Sequence, residues 1–172
     1  IFKVSVRTID TEKLDINALL PLWSGGIPDD DAKMVINLLT DASHFWQQNG
    51  VSVVSAQDDN YDPASKNGGG GIWAYFTTLI AEGLSDYGDT ARATDLLMRY
   101  LNVQTRVFGE TFTRYGGYHS DDDQGLGSQQ GLSTLPPLYL FTHLTGVHII
   151  SNSKVRISGE FQLTQPLEIV RL

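Results

Sequence analysis

The chain contains no cysteine. Disulfide staples, thiolate metal sites and a cysteine nucleophile are therefore excluded. Cations are scarce as well. Twelve Lys and Arg against 20 Asp and Glu leave a formal net charge of −8. Such a surface repels phosphate backbones, so nucleic acid is not an expected partner. No apolar run approaches the roughly 18 residues that span a bilayer, so no membrane partner is expected either. The opening residues, Ile1-Phe2-Lys3-Val4-Ser5-Val6, alternate like a strand. They lack the basic start and apolar block of a signal peptide. An initiator Met is missing too, so the chain is expected to be processed or part of a longer protein.

What the chain does have suits one domain, or a piece of one, in 172 residues. Several aromatic residues stand beside Gly, Asn and Asp in expected loops. Rings stack on sugar faces, and amides and carboxylates take hydroxyls. Ordinary half-buried loop aromatics account for the pattern equally well.

Hydrophobic periodicity points to amphipathic helices. Residues 1–27 read as extended or irregular, with the apolar run Asp15–Trp23 broken by Pro21. A first helix starts at Asp29-Asp30-Asp31, where carboxylates suit an N-terminus. Its expected apolar stripe is Met34, Val35, Leu38 and Leu39. A second short helix from Thr40-Asp41 carries Phe45 and Trp46 and stops at Asn49-Gly50. Val51–Ser55 is extended. In the polar loop after it, Asp58, Asn60 and Asp62 alternate as in a calcium loop, but Pro63 stands where that loop needs Gly. Gly68–Gly71 has no following Lys-Ser/Thr, so it is not a phosphate loop. Close backbone approach to a ligand or to a neighbouring helix explains it better. Helices follow over Ile72–Leu84 and from Asp89 through Leu101. A last one opens at Thr134 with Pro136-Pro137 in its first turn and runs to Gly146. The tail changes period: Val155–Ile157, Phe161–Leu163 and Leu167–Val170 read as short strands.

The stretch Gly109–Leu140 stands out, because so long a loop between strong helices is more often functional than not. It carries Glu110 directly after a helical pattern, then polar, glycine-rich and aromatic residues. The apolar neighbours Val107 and Phe108 would shield Glu110 from water if they cover it. His119 and Asp121-Asp122-Asp123 are secondary site candidates, for which a solvated acidic loop is the better reading.

Order and spacing then bring a family into view. Asn17-Ala18-Leu19-Leu20-Pro21-Leu22-Trp23-Ser24-Gly25-Gly26-Ile27, His44-Phe45-Trp46, Gly50 and Asn60-Tyr61-Asp62 come first. Gly71-Ile72-Trp73 and Gly83-Leu84-Ser85-Asp86-Tyr87-Gly88 come next. Glu110 with Tyr115-Gly116-Gly117, and Gly131-Leu132-Ser133, complete the series. Together they resemble the second half of an (α/α)6-barrel glycoside hydrolase of the family 63 type, with trehalase-like barrels related. The sequence departs from that pattern where an Arg is lacking before Gly71, and at Leu132 (a Trp in the family) and Phe112 (a Tyr).

The resemblance implies a mainly α fold: consecutive helical hairpins forming part of an (α/α)6 toroid over residues 1–149, with a small β-rich appendage over 150–172. It implies an inverting glycosidase acting on glucoside-type oligosaccharide bonds, with Glu110 as general base. It implies substrate contacts from Trp73, Tyr61, Tyr115, Phe45, Trp46, Gly71 and Ser133, and neither cofactor nor metal. The general acid would lie in the N-terminal part of the barrel, outside this chain. A non-catalytic carbohydrate-binding or structural domain on the same scaffold is the alternative.

Overall fold

The structure, a computed structural model, describes residues 14–66, 69–129 and 146–157. Asp15 accepts the Asn17 amide at 2.9 Å. It thereby caps a 3-10 turn over Ile16–Ala18. Pro21 does not break the apolar run. It is the first residue of a short helix, α1 (Pro21–Ser24), where its missing N–H costs nothing.

Helix α2 (Asp29–Leu39) has the three expected carboxylates in its first turn. Its buried face is Ala32, Ile36 and Leu39, with Met34 exposed, so the helix is rotated from the expected stripe. The second short helix is absent. Asp41 instead folds a single turn, its carboxylate accepting from the Ser43 amide and hydroxyl. Its carbonyl takes the amides of His44, Phe45 and Trp46. Strand β1 (Trp46–Gln47) then pairs antiparallel with β2 (Gly50–Val51), and Asn49-Gly50 turns the chain rather than ending a helix.

Ile72 and Trp73, expected to start a helix, form strand β3 (Ile72–Trp73). Helix α3 (Ala74–Asp86) begins after them. A turn at Tyr87-Gly88-Asp89 leads into the 22-residue α4 (Thr90–Thr111), capped by Asp89, which accepts the Arg92 amide. Ala93, Leu96, Leu97, Tyr100, Val103 and Val107 recur at helical spacing, and all are buried. A buried Leu contributes about 1.5–3 kcal/mol. This face, more than helix propensity, holds α4 in place. Gly83 lets α1 lie directly on α3: an added Cβ would stand 2.8 Å from the Leu22 carbonyl carbon.

The stretch after Glu110 is not one long loop. Strands β4 (Tyr115–Tyr118) and β5 (Gly125–Gln129) extend β3 into an antiparallel sheet in the order β3-β4-β5. Ile72 faces Tyr118 and Trp73 faces Gly117, which in turn faces Leu126. Ile72 and Tyr118 join Tyr100, Val103 and Val107 in one core cluster, and a second, larger cluster fills the space among α1, α2, α3 and the first half of α4. The described chain is therefore mixed, with helices and short strands interleaved rather than strands confined to the tail.

A last hairpin pairs β6 (Val147–Ser151) with β7 (Lys154–Ile157). It contains the strand expected at Val155–Ile157 and begins before the expected division at 149/150. The helix expected from Thr134, and the strands at Phe161–Leu163 and Leu167–Val170, lie outside the described residues. Among the described residues, no helix is long and apolar enough to cross a membrane.

Candidate active site

Glu110 sits inside the last turn of α4 rather than after it, and it is exposed. Val107 points into the core and Phe108 is itself 39% exposed, so these neighbours do not cover it. No basic residue shares that last turn. A carboxylate there stands at the negative end of the helix dipole, which costs roughly 0.3–1 kcal/mol. No described side chain hydrogen-bonds to it or pairs with it. Nothing in local folding explains a glutamate at this place.

The residue that ends α4 is also unusual. Phe112 takes a left-handed conformation, φ 52°, and its amide donates to the Phe108 carbonyl at 2.8 Å. Glycine normally fills that role. A side chain there costs roughly 1–2 kcal/mol. Phe112 is nevertheless 80% exposed, with its ring edge-on to Phe108 at 6.2 Å. The Arg114 guanidinium lies 5.4 Å from the centre of the Phe108 ring. Backbone strain of this kind clusters at active sites and ligand clamps.

Three other rings lie on glycine backbone. The indole of Trp73 rests on Gly117, where an added Cβ would meet the ring at 2.9 Å, and on Gly127, at 3.3 Å. Its Nε1 is buried without a hydrogen-bond partner among the described residues. The Tyr61 ring covers Gly70, with 2.8 Å to an added Cβ, and the Tyr115 ring covers Gly125. Gly71 is buried against Leu126 and the Tyr118 carbonyl. The glycine run thus approaches an aromatic ring and a strand, not a neighbouring helix.

The remaining expected residues are placed differently. Phe45 has no exposed surface and belongs to the larger core cluster, so its ring supports the fold and presents nothing to a ligand. Trp46 is half-buried beneath Arg99, whose guanidinium is 5.4 Å from the ring centre. Arg99 precedes Glu110 by about three helical turns, roughly 16 Å along α4. Ser133 lies outside the described residues.

The acidic loop is built rather than merely solvated. Asn49, 1% exposed, donates from Nδ2 to the carbonyls of His119 and Asp122, each at 3.0 Å. Its Oδ1 accepts from Arg106 Nη2 at 2.9 Å. Arg106 Nε reaches both oxygens of Asp123 at 2.8 Å. That hydrogen bond holds the Asp123 carboxyl below its usual range and raises Arg106 in return. His119 Nδ1 accepts the amides of Asp121 and Asp122, so the neutral ring carries its proton on Nε2. Sequence reasoning missed Asn49, Arg106 and Ser120, because their partners are distant in the chain. The Asx turns at 58–64 likewise occupy the carboxylates of the calcium-like loop, with Asp58 accepting from Asn60 and Asp62 from Ala64. Among the described residues, no three His, Asp or Glu side chains come together to hold a metal ion. A surface cavity of about 740 Å³ lies among Gly25, Asp29, Lys33, Ile36, Asp86 and Tyr87, and includes none of the residues above.

An exposed carboxylate thus ends α4, and three aromatic rings, those of Trp73 and Tyr115 on the β3-β4-β5 sheet and that of Tyr61 in a loop, are floored by glycine. Residues 3–131 match the mannosylglycerate hydrolase MGH1-like glycoside hydrolase domain. The match covers most of the chain, which therefore belongs to that glycoside hydrolase family. No curated protein matches the sequence. Among solved structures, an uncharacterized conserved protein from Thermus thermophilus is similar with a TM-score of 0.62 at 22% identity, over 76% of this chain and 30% of that one. A GH63 mannosylglycerate hydrolase from the same organism, solved with glucose, is similar with a TM-score of 0.58 at 21% identity, again over 76% and 30%. The same hydrolase solved with Tris gives 0.59 at 21% identity over the same shares. At these identities the likeness shows the fold. The chain spans about a third of the length of these structures.

Proposed function

We propose that this chain forms part of an (α/α)6 barrel in a glycosidase and supplies its general base, Glu110. In this reading the helices form consecutive hairpins of the toroid. The β-rich appendage begins at the β6–β7 hairpin, and the rest of the barrel supplies the general acid. The observation that carries it is Glu110 itself: an exposed carboxylate, unpaired among the described residues, at an electrostatically disfavoured helix end and flanked by the strained Phe112.

Glycosidic hydrolysis uses two carboxyl groups. In inverting enzymes they stand roughly 6.5–9.5 Å apart, with a water between the base and the sugar carbon. An uncovered base at the end of α4 leaves room for that water. Glu110 would take its proton as the water attacks, while the facing acid protonates the departing oxygen. Trp73, Tyr61 and Tyr115 supply flat apolar faces for the sugar. Gly71 lets the backbone lie close to Leu126 and the Tyr118 carbonyl next to Trp73, and Ser133 is a further proposed substrate contact. The substrate is a short glucoside-type or mannoside-type glycoside, with mannosylglycerate and glucosylglycerate the first compounds to try.

Glu110→Gln in the full-length enzyme tests this. A positioned general base contributes about 10²–10⁴-fold, so kcat should fall by that factor with KM little changed. Turnover within about tenfold of wild type would sink the assignment.

A further inference from the structure

Ser120 is fully buried and joins two residues that reach the surface. Its hydroxyl donates to Asp121 Oδ2 at 2.7 Å. The Tyr61 hydroxyl lies 2.7 Å from the same Ser120 Oγ. A serine has one hydroxyl proton, and a carboxylate only accepts. With that proton committed to Asp121, Ser120 can only accept from Tyr61. The direction of the chain is fixed: Tyr61 donates to Ser120, and Ser120 donates to Asp121.

The consequence falls on the outer side of Tyr61. Its only proton points inward, so its oxygen offers lone pairs alone to anything that approaches. The ring is seated directly on Gly70. The loop around it is stapled by the Tyr61 amide to the Asp58 carbonyl and the Asp62 amide to the Gly69 carbonyl, each at 2.9 Å. Burial pushes the phenol up from its usual range, the Ser120 hydrogen bond offsets part of that rise, and the Asp121 charge adds a smaller one.

We propose that Asp121, acting through Ser120, fixes Tyr61 as a one-way hydrogen-bond acceptor that selects a sugar hydroxyl and disfavours a carboxylate or phosphate oxygen. Tyr61 is the specificity-determining residue in this arrangement, and Ser120 and Asp121 position it. The inference rests on the proposed reading of this face as sugar-binding. It predicts that an acidic group on the substrate, such as a glycerate carboxylate, lies away from Tyr61 and that the neutral sugar ring lies against it.

The test uses the full-length enzyme with mannosylglycerate and glucosylglycerate as probes. Losing one hydrogen bond to substrate should raise KM about tenfold. Tyr61→Phe and Asp121→Ala are each expected to do so, with kcat within about twofold of wild type. Asp121→Asn keeps an acceptor for Ser120 and should recover most of the loss. In the double variant the effects should not add, because Asp121 acts only through Tyr61. An unchanged KM in Tyr61→Phe, or a further rise when Asp121→Ala is added to it, overturns the proposal. Failure of the wild-type enzyme to turn over either probe, or full activity in Glu110→Gln, overturns the sugar-binding reading and this inference with it. Normal thermal melting of Asp121→Ala, an exposed position, separates these outcomes from misfolding.

Discussion

Arg106 donates to Asn49 Oδ1 at 2.9 Å and at the same time holds both oxygens of Asp123 at 2.8 Å. One side chain of α4 thus fixes the β1–β2 turn on one side and the β4–β5 turn on the other. Neither turn has a regular ladder to α4, and this junction acts together with Arg99, which donates to the Gln47 and Gln48 carbonyls, to tie them to the helix.

Asn49→Ala should weaken that tie. It leaves the Arg106 Nη2 donor and the carbonyls of His119 and Asp122 short of a partner. A buried polar group left unpaired costs about 1–3 kcal/mol. A loss of about 2–3 kcal/mol is expected in urea unfolding of the full-length protein, with faster amide exchange across 119–124. A loss under about 0.5 kcal/mol would mean the junction does not hold the turns.

The ion pair should show in the acid limb of stability. Asp123 has its native pKa depressed below the ordinary 3.8 by the Arg106 hydrogen bond. Its contribution is therefore complete above that ordinary value and disappears as the pH falls through the lower native one. Wild type should be more stable than Asp123→Asn at pH 7, and the gap should close as the pH drops below 3.8. Because the pair is partly exposed, the gap should also shrink in high salt. A gap independent of pH would show that the side chain stabilises by packing instead.

Gly117→Ala probes the floor under Trp73. Its Cβ would stand 2.9 Å from the Ile72 carbonyl oxygen and from the indole. Forcing a methyl into such a space costs about 1–3 kcal/mol. The expected result is that loss in denaturant melts, with a shift in tryptophan fluorescence and a raised KM. An unchanged KM alongside a displaced indole would remove Trp73 from the proposed sugar platform.

Stereochemistry tests the role given to Glu110. Inversion predicts that the first sugar released has the opposite anomeric configuration to the substrate, observable by proton NMR before mutarotation. Retention of configuration would require Glu110 to be a nucleophile, or another residue to take that part.

Short-range features of this fold were legible in the sequence. The acidic start of α2, the Asp89 cap, the buried Ala93, Leu96, Leu97 and Tyr100 in the first half of α4 and the strand at Val155–Ile157 all follow from neighbours a few residues apart. Family membership was legible too, because it rests on the order of short motifs. The Ile72–Trp73 strand was not, since its apolar residues fit a helical stripe as well as a strand. Only pairing with Tyr118 and Gly117, more than 40 residues later, decides between them. Asn49 read as a helix stop for the same reason, its partners lying at 106, 119 and 122.

By itself, then, the sequence determined the absence of thiol chemistry, the acidic surface, the helical core of α4 and the presence of Glu110 near the end of it. Tertiary structure decided what surrounds that glutamate. It replaced a long loop with a sheet, moved Phe45 from wall to core, and set Tyr61 and Trp73 on glycine backbone. The physical reason is range: caps and helical stripes are fixed by contacts within a turn or two, whereas sheet register and aromatic seating depend on residues brought together only when the chain closes on itself.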